Sequence, residues 1–228
     1  MHDPLARPCG VHREGGQRVG HFGGPIMVPD EVDERWFPLV ATIDCAAVPP
    51  ETTDLALPPD GLLLFFSYPE EDGMGDVVHV PLDAVVRERP LHPDITHDED
   101  FAEIFQEMQR GEIHLVPALS LPFPGETNDA AEALARQWGD PASRFLLGGY
   151  GTEFDGRTPA EWAAEVAAWQ AKEGPRSDRA TDGEHWVLLA ELNIYRPGGG
   201  ATMFWAIHRD DLAARRFERA QFVVDWNP

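Results

Sequence analysis

The feature that most constrains the fold is a set of three short motifs that occurs twice in the same order. The first half contains Gly23 and Gly24, then Val-Ala-Thr-Ile-Asp at 40–44, then Gly-Leu-Leu-Leu-Phe-Phe at 61–66. The second half contains Gly148 and Gly149, then Leu-Ala-Glu-Leu-Asn at 189–193, then Gly-Ala-Thr-Met-Phe-Trp at 200–205. This order predicts one sheet unit that is present twice, as pseudo-repeats over residues 21–115 and 145–228.

Runs of apolar and β-branched residues predict the strands, and capping residues predict the helices. Thr96 and Glu99 form a capping box ahead of an amphipathic stretch, and Thr158, Pro159 and Glu161 start another helix whose apolar face includes Trp169. We therefore expect an α+β fold, with mostly antiparallel sheet and three to four helices. Residues 1–20, rich in Gly, Arg and His, are expected to form a loose leader before a single domain at 21–228. The predicted strands are 37–45, 61–68, 76–81, 186–194, 201–207 and 220–226, and the predicted helices are 96–108, 129–138, 158–173 and 210–216.

The charge of the chain is strongly negative and unevenly distributed. Forty acidic and 18 basic residues give a net charge of -22, of which residues 1–114 contribute -16. Within 69–107, 12 acidic residues face only Arg87 and Arg89. Such a chain repels phosphate backbones and anionic lipid, so we expect neither nucleic acid nor membrane as a partner. A basic protein is the partner that this charge favours.

Neither the apolar runs nor the cysteines indicate export. No uninterrupted apolar stretch is longer than the five residues of 62–66, and a signal peptide is not recognisable. Cys9 and Cys45 have no CxxC spacing, so a disulfide framework is not predicted. The expectation is a cytoplasmic protein without a cofactor.

The order of the motifs resembles that of the YwqG-like family, a bacterial domain of unknown function. The resemblance extends over about residues 20–226. It implies an α+β cytoplasmic domain without an agreed activity, and some relatives lie in toxin-immunity neighbourhoods. Thr42 and Glu191 stand where many members have glutamine. The matching residues are Gly23 to Ile26, Ile43 and Asp44, 57–66, Leu147 to Gly149, Trp186 to Leu189, Phe204 to Ile207, and Asp211 with Leu212.

The densest set of metal-ligating side chains lies at 92–100. His92, Asp94, His97 and Asp98 are weak candidates for a divalent ion. The alternative is that the acids at 98–100 stabilise the N-terminus of the helix that Thr96 caps. We favour the alternative because it accounts for these acids without a metal.

Other polar residues are candidates for a ligand site. Asp44, Glu191 and Asn193 end equivalent strands, and with His114 they define a speculative ligand-binding or acid/base site between the two sheet units. The alternative is that Asp44 and Asn193 bond turn amides while Glu191 faces solvent. Cys45, in an apolar strand, is more typical of a buried hydrophobe than of a nucleophile.

Two functions follow from these observations. The first is a non-enzymatic protein-binding module, of immunity or regulatory type, whose acidic face engages a basic partner. The second is an enzyme or small-ligand-binding protein with its site between the sheet units. No catalytic residue is assigned, and the oligomeric state is left open.

Overall fold

A computed structural model describes residues 6–32, 37–68, 73–91, 111–121, 144–173, 183–196 and 199–227. Within these ranges the chain forms eleven strands and two α-helices, joined by turns that include four short 3-10 segments. No described helix is both long and apolar enough to cross a membrane. The elements are β1 (Arg7–Phe22), β2 (Ile26–Pro29), β3 (Leu39–Asp44), β4 (Leu62–Ser67), β5 (Gly75–Val80), β6 (Val86–Arg89), β7 (Glu112–Ser120), β8 (Phe145–Gly148), α1 (Pro159–Glu173), β9 (Trp186–Arg196), β10 (Gly199–His208), α2 (Arg209–Ala213) and β11 (Gln221–Asn227), with 3-10 turns at Cys45–Ala47, Pro50–Thr52, Gly183–His185 and Phe217–Arg219.

Nine of the strands form one antiparallel sheet. Its order is β11-β10-β9-β8-β1-β3-β4-β5, and β7 also pairs with β1, while β2 and β6 form a separate ribbon. The two ends of the sheet approach each other, because the N–H of Gly73 donates to the carbonyl of Phe222 at 3.1 Å. At Gly75 a Cβ would lie 2.5 Å from Cγ of Phe222, so this glycine allows β5 to pack on β11. The sheet is therefore nearly closed into a barrel.

The sheet contains the same antiparallel meander twice, as β1-β3-β4-β5 and as β8-β9-β10-β11. Phe22 pairs with Ala41 in the first, and Leu147 pairs with Ala190 in the second. These registers make the two Gly-Gly motifs equivalent, as the sequence order suggested. Descent of both halves from one duplicated unit stays a prediction.

In the next strand pair of each meander, the residues at equivalent positions differ by one from those that the sequence motifs align. Ala41 pairs with Phe65, whereas Ala190 pairs with Trp205, not with the Phe204 that the motifs align with Phe65. Phe65 and Trp205 are fully buried and meet edge to face, with ring centroids 5.3 Å apart. Two equivalent aromatic residues therefore fill the interior together. The buried core around them includes Ile43, Phe145, Leu192, Met203, Phe217 and Phe222.

Helix α1 covers the part of the sheet formed by β9, β10 and β11. Ala163 and Ala164 pack against Trp186, Ala206 and Val223. The helix start predicted at Thr158 is confirmed, and it has the geometry of a capping box: the N–H of Glu161 donates to Oγ1 of Thr158 at 3.3 Å, and the N–H of Thr158 donates to Oε2 of Glu161 at 2.7 Å. The inward orientation expected for Trp169 is wrong, since that residue is 60% exposed.

The prediction of an α+β fold with three to four helices is wrong. The described residues are mostly antiparallel β, and α1 and α2 are their two helices. The sequence pattern does not reveal β7, because histidine and proline interrupt its apolar residues, or β8, because it is only four residues long. The helices predicted at 96–108 and 129–138 lie outside the described residues.

The loose leader expected over residues 1–20 is also wrong from residue 7 onward, where β1 begins. The glycines that suggested a loop lie where β1 approaches its neighbours. A Cβ at Gly20 would overlap the carbonyl oxygen of Thr42, and one at Gly16 would lie 2.6 Å from that of Leu115. Close backbone approach explains these glycines better than disorder does.

Candidate functional site

Glu191 and Asn193, two of the predicted ligand-binding residues, lie together in a buried polar network on β9. The side chain of Asn193 donates to Oε1 of Glu191 at 2.9 Å, and the hydroxyl of Thr202 donates to Oδ1 of Asn193 at 2.8 Å. Glu191 is 2% exposed, so the expectation that it faces solvent is wrong. The polar side chains of this strand are thus directed into the protein, beneath the turn that follows β8.

The turn at 148–152 is tied to this network by Thr152. Its N–H donates to Oε2 of Glu191 at 2.7 Å and its hydroxyl donates to Oε1 at 2.8 Å. Close packing makes this possible, because a Cβ at Gly151 would lie 3.0 Å from Oε2 of Glu191. The carboxylate therefore supplies an acceptor for a backbone N–H that would lack a partner in an irregular turn.

Burial raises the pKa of Glu191, and the hydrogen bonds from Asn193 and Thr152 oppose that rise. A buried acid with a raised pKa is a recognised mark of a functional site, but it is also found in structural networks. Here three donors from the protein bind the carboxylate. The geometry accounts for a structural role, and ligand binding at Glu191 and Asn193 stays a prediction.

A cationic side chain lies on the other side of the same turn. The guanidinium of Arg7 stacks over the ring of Tyr150, 4.5 Å from its centroid, and its Nε lies 4.0 Å from a carboxylate oxygen of Asp54. The N–H of Tyr150 donates to Oγ of Ser120 at 3.0 Å. The turn after β8 therefore contacts both β1 and the end of β7.

Asp44 has a separate local partner. Its side chain accepts from the N–H of Ala46 at 3.0 Å and so caps the 3-10 turn Cys45–Ala47. The residue is exposed at the end of β3. This contact matches the alternative in which Asp44 bonds a turn amide.

His114 lies on β7 in a different polar cluster. Its Nδ1 is 3.1 Å from the carbonyl oxygen of Gly16 and its Nε2 is 3.1 Å from Oε2 of Glu112. Arg18 donates to the other oxygen of Glu112 at 2.6 Å, and the contacts with His114 and Arg18 lower the pKa of Glu112. His114 thus joins β7 to the bulge of β1. The four predicted residues therefore lie in three places: Glu191 and Asn193 share one network, and Asp44 and His114 each have other partners.

The predicted metal ligands His92, Asp94, His97 and Asp98 lie outside the described residues. In the part of the chain that is described, no three His, Cys, Asp or Glu side chains are placed to hold a metal ion. Both cysteines are free and buried. Burial raises the pKa of each thiol, Cys9 and Cys45, to about 12.

An open groove of about 400 Å³ was not foreseen from the sequence. Its walls are aliphatic, with Glu51 and Arg13 as the charged residues. Leu119, on the exposed side of β7, is 42% exposed. The alternation of buried and exposed residues along β7 was the available signal, but Pro117 obscured it. The remaining lining residues are Pro8, Val116, Pro117 and Ala118.

Local packing brings Glu51 to the groove. It belongs to the 3-10 turn Pro50–Thr52, which has proline at its first position. The turn packs on β1 at Gly10, where a Cβ would lie 2.5 Å from Cγ2 of Thr52. A side chain at position 10 would displace this turn and move Glu51 away from the groove.

The groove adjoins a segment that we call the acidic connection, residues 44–61, from the end of β3 to the start of β4. It contains four acidic residues and no Lys, Arg or His. All four are exposed. Asp44 and Asp60 both lie near Cys45, since they add to the rise that burial causes in the pKa of its thiol. The four acids are Asp44, Glu51, Asp54 and Asp60.

Comparison with known proteins gives a family but no activity. No curated protein matches the chain. Residues 26–226 match the family model described as Domain of unknown function (DUF1963). Of the described strands, β1 alone lies wholly outside this match. The chain therefore belongs to that family of unknown function.

Proposed function

We propose that this protein is a non-enzymatic protein-binding module that engages a basic partner through the acidic connection. The observation that carries the proposal is the exposure of four acids, with no base, in that segment. Complementary charge accelerates association and makes it sensitive to salt. A regulatory or immunity-type role is the biological form that we propose.

The distribution of bases elsewhere supports this choice. Arg87 and Arg89 are the two bases in the acidic stretch 69–107, and both lie against Asp30, at 3.4 Å and 3.5 Å. Those contacts direct the two guanidinium groups toward β2. Arg18 is likewise paired, with Glu112. The acidic connection contains no cation of its own, and Arg7 of β1 contacts it at Asp54, where Nε lies 4.0 Å from a carboxylate oxygen.

The test is binding of a fluorescently labelled oligolysine peptide, followed by anisotropy over a range of salt concentrations. The wild type is expected to bind at low salt and to lose affinity as salt rises. A double variant, Glu51→Gln with Asp60→Asn, is expected to bind several-fold more weakly, because each acid contributes up to about 1 kcal/mol at an exposed site.

A matched control removes the same charge from other surfaces. Asp83→Asn with Glu218→Gln neutralises two exposed acids outside the acidic connection. It is expected to retain nearly wild-type affinity. Equal weakening in the two double variants would show that only net charge matters, and it would overturn the assignment to this segment. Absence of binding at low salt would overturn the proposal itself.

Two finer assignments belong to the same proposal. We place the chain among YwqG-like proteins on the motif order around Gly23, Ile43, Gly61, Gly148 and Phe204. We also propose that it acts in the bacterial cytoplasm. Immunoblotting of fractionated cells with an antibody against the protein tests the location.

A further inference from the structure

We propose that the groove beside the acidic connection binds an aliphatic side chain from a Lys- or Arg-rich segment of the partner. This inference rests on the proposed function and adds an apolar determinant to it. Charge alone selects any cation, whereas a groove with apolar walls also selects for shape and for burial. The partner segment would thus combine an aliphatic residue with basic neighbours.

The shape of the groove comes from the antiparallel β1–β7 pair. Pro8 pairs with Leu119 and Gly10 pairs with Pro117. Because Gly10 has no side chain, the 3-10 turn Pro50–Thr52 packs directly on β1. The space between that turn and the exposed side of β7 is the groove.

Its volume and lining fit part of a polypeptide. About 400 Å³ lies in the lower part of the range for binding pockets, and five of the seven lining residues are aliphatic or proline. An aliphatic side chain loses contact with water there. A fully polar segment would gain nothing from these walls, since they offer it few hydrogen-bonding side chains.

The charges around the groove specify the flanking chemistry. Glu51 lines the groove and Asp54 lies three residues later in the acidic connection. Lysine or arginine beside the aliphatic residue would reach Glu51, and Asp54, which lies 4.0 Å from Nε of Arg7, adds to the negative charge nearby. Glu51 disfavours acidic residues on its side of the groove. Arg13 also lines the groove and favours a carbonyl or carboxylate group beside it.

Two labelled peptides of equal charge test the inference, Lys-Lys-Leu-Lys-Lys and Lys-Lys-Ser-Lys-Lys. The wild type is expected to bind the leucine peptide about tenfold more tightly, because partial burial of a leucine side chain gives a difference of that order. Leu119→Ser is expected to abolish the difference and to leave the affinity for the serine peptide unchanged. Leu119→Ala is expected to give an intermediate ratio.

Leu82 supplies a matched control. It is 79% exposed, on the turn between β5 and β6, and Leu82→Ser makes the same chemical change away from the groove. This variant is expected to keep the tenfold preference. Circular dichroism and thermal unfolding check that the variants fold, as expected for changes at exposed positions.

The outcomes separate this inference from the proposed function. If the wild type binds both peptides equally and salt weakens both, the charged surface stands and the groove is excluded as an anchor site. If the preference survives Leu119→Ser, or is lost in Leu82→Ser, the aliphatic residue binds elsewhere and the inference fails. If the wild type binds neither peptide, both proposals fail.

Discussion

Thr152 donates two hydrogen bonds to one buried carboxylate, from its N–H at 2.7 Å and its hydroxyl at 2.8 Å, both to Glu191. Thr152 is exposed, whereas Glu191 is buried in β9. The pair therefore connects a surface turn to the centre of the sheet. Because Tyr150 in the same turn bonds Ser120 of β7, this turn links β9 to β7.

Removing the carboxylate should destabilise the protein more than removing one of its donors. Glu191→Ala takes the acceptor from Thr152 and from the amide of Asn193, and we expect it to lower the free energy of unfolding by roughly 2–4 kcal/mol. Thr152→Val removes only the hydroxyl donor and should cost about 1 kcal/mol. Urea denaturation followed by tryptophan fluorescence measures both. Equal costs would show that Glu191 does not hold the turn.

The raised pKa of Glu191 predicts a pH dependence of stability. The folded protein binds this proton more tightly than the unfolded chain does, because burial disfavours the charged form. Stability from this group is complete below the ordinary glutamate pKa, about 4.3, and is lost as pH rises through the raised folded value. The free energy of unfolding should therefore fall with rising pH in that window.

Glu191→Gln isolates this effect from the other carboxyl groups. The difference in free energy of unfolding, wild type minus Glu191→Gln, should decrease as pH rises above the ordinary glutamate pKa and through the raised folded value. Denaturant titrations at several pH values measure the difference. A difference that stays constant or increases would mean that hydrogen bonds outweigh burial at this carboxyl.

Local patterns were sufficient to predict part of the fold. Six runs of apolar residues became strands because little of their surface meets solvent, and helix α1 covers the outer face of some of them. These strands are β3, β4, β5, β9, β10 and β11. Thr158 and Glu161 mark the start of α1 by chemistry that acts within one turn. The order of the repeated motifs matches the repeated meander, because each motif belongs to an equivalent strand.

The rest depends on contacts distant in sequence. Position 20 of β1 is glycine because the backbone of Thr42 leaves no room for a side chain. Glu191 can be buried because Thr152, 39 residues away in sequence, donates hydrogen bonds to it. Neither contact can be predicted from the residue pattern of one strand. The candidate site shows the same limit: the pairing of Glu191 with Asn193 follows from their spacing on β9, but the groove requires β1, β7 and the turn of Glu51 to be packed first.

The buried thiols should be unreactive in the folded protein. Burial raises the pKa of Cys9 and of Cys45 to about 12, so the thiolate is scarce near neutral pH. Ellman's reagent at about pH 8 should label neither cysteine of the native protein within minutes. Both should react after denaturation. Rapid labelling of one native cysteine would reopen a catalytic role, above all for Cys45.

Alanine substitutions at two glycines with nearly equal φ angles distinguish the cost of backbone strain from the cost of packing. Gly149 has φ +79° and Gly15 has φ +81°, so alanine at either position meets the left-handed penalty of about 1 kcal/mol. At Gly149 the new Cβ would also lie 2.7 Å from Cβ of Ser120 and 3.0 Å from that of Cys9, whereas at Gly15 nothing lies within 4 Å. Overpacking should add roughly 1–3 kcal/mol to the cost of Gly149→Ala alone. Denaturant titration of both variants measures the difference, and equal costs would show that the turn after β8 shifts freely from β1 and β7.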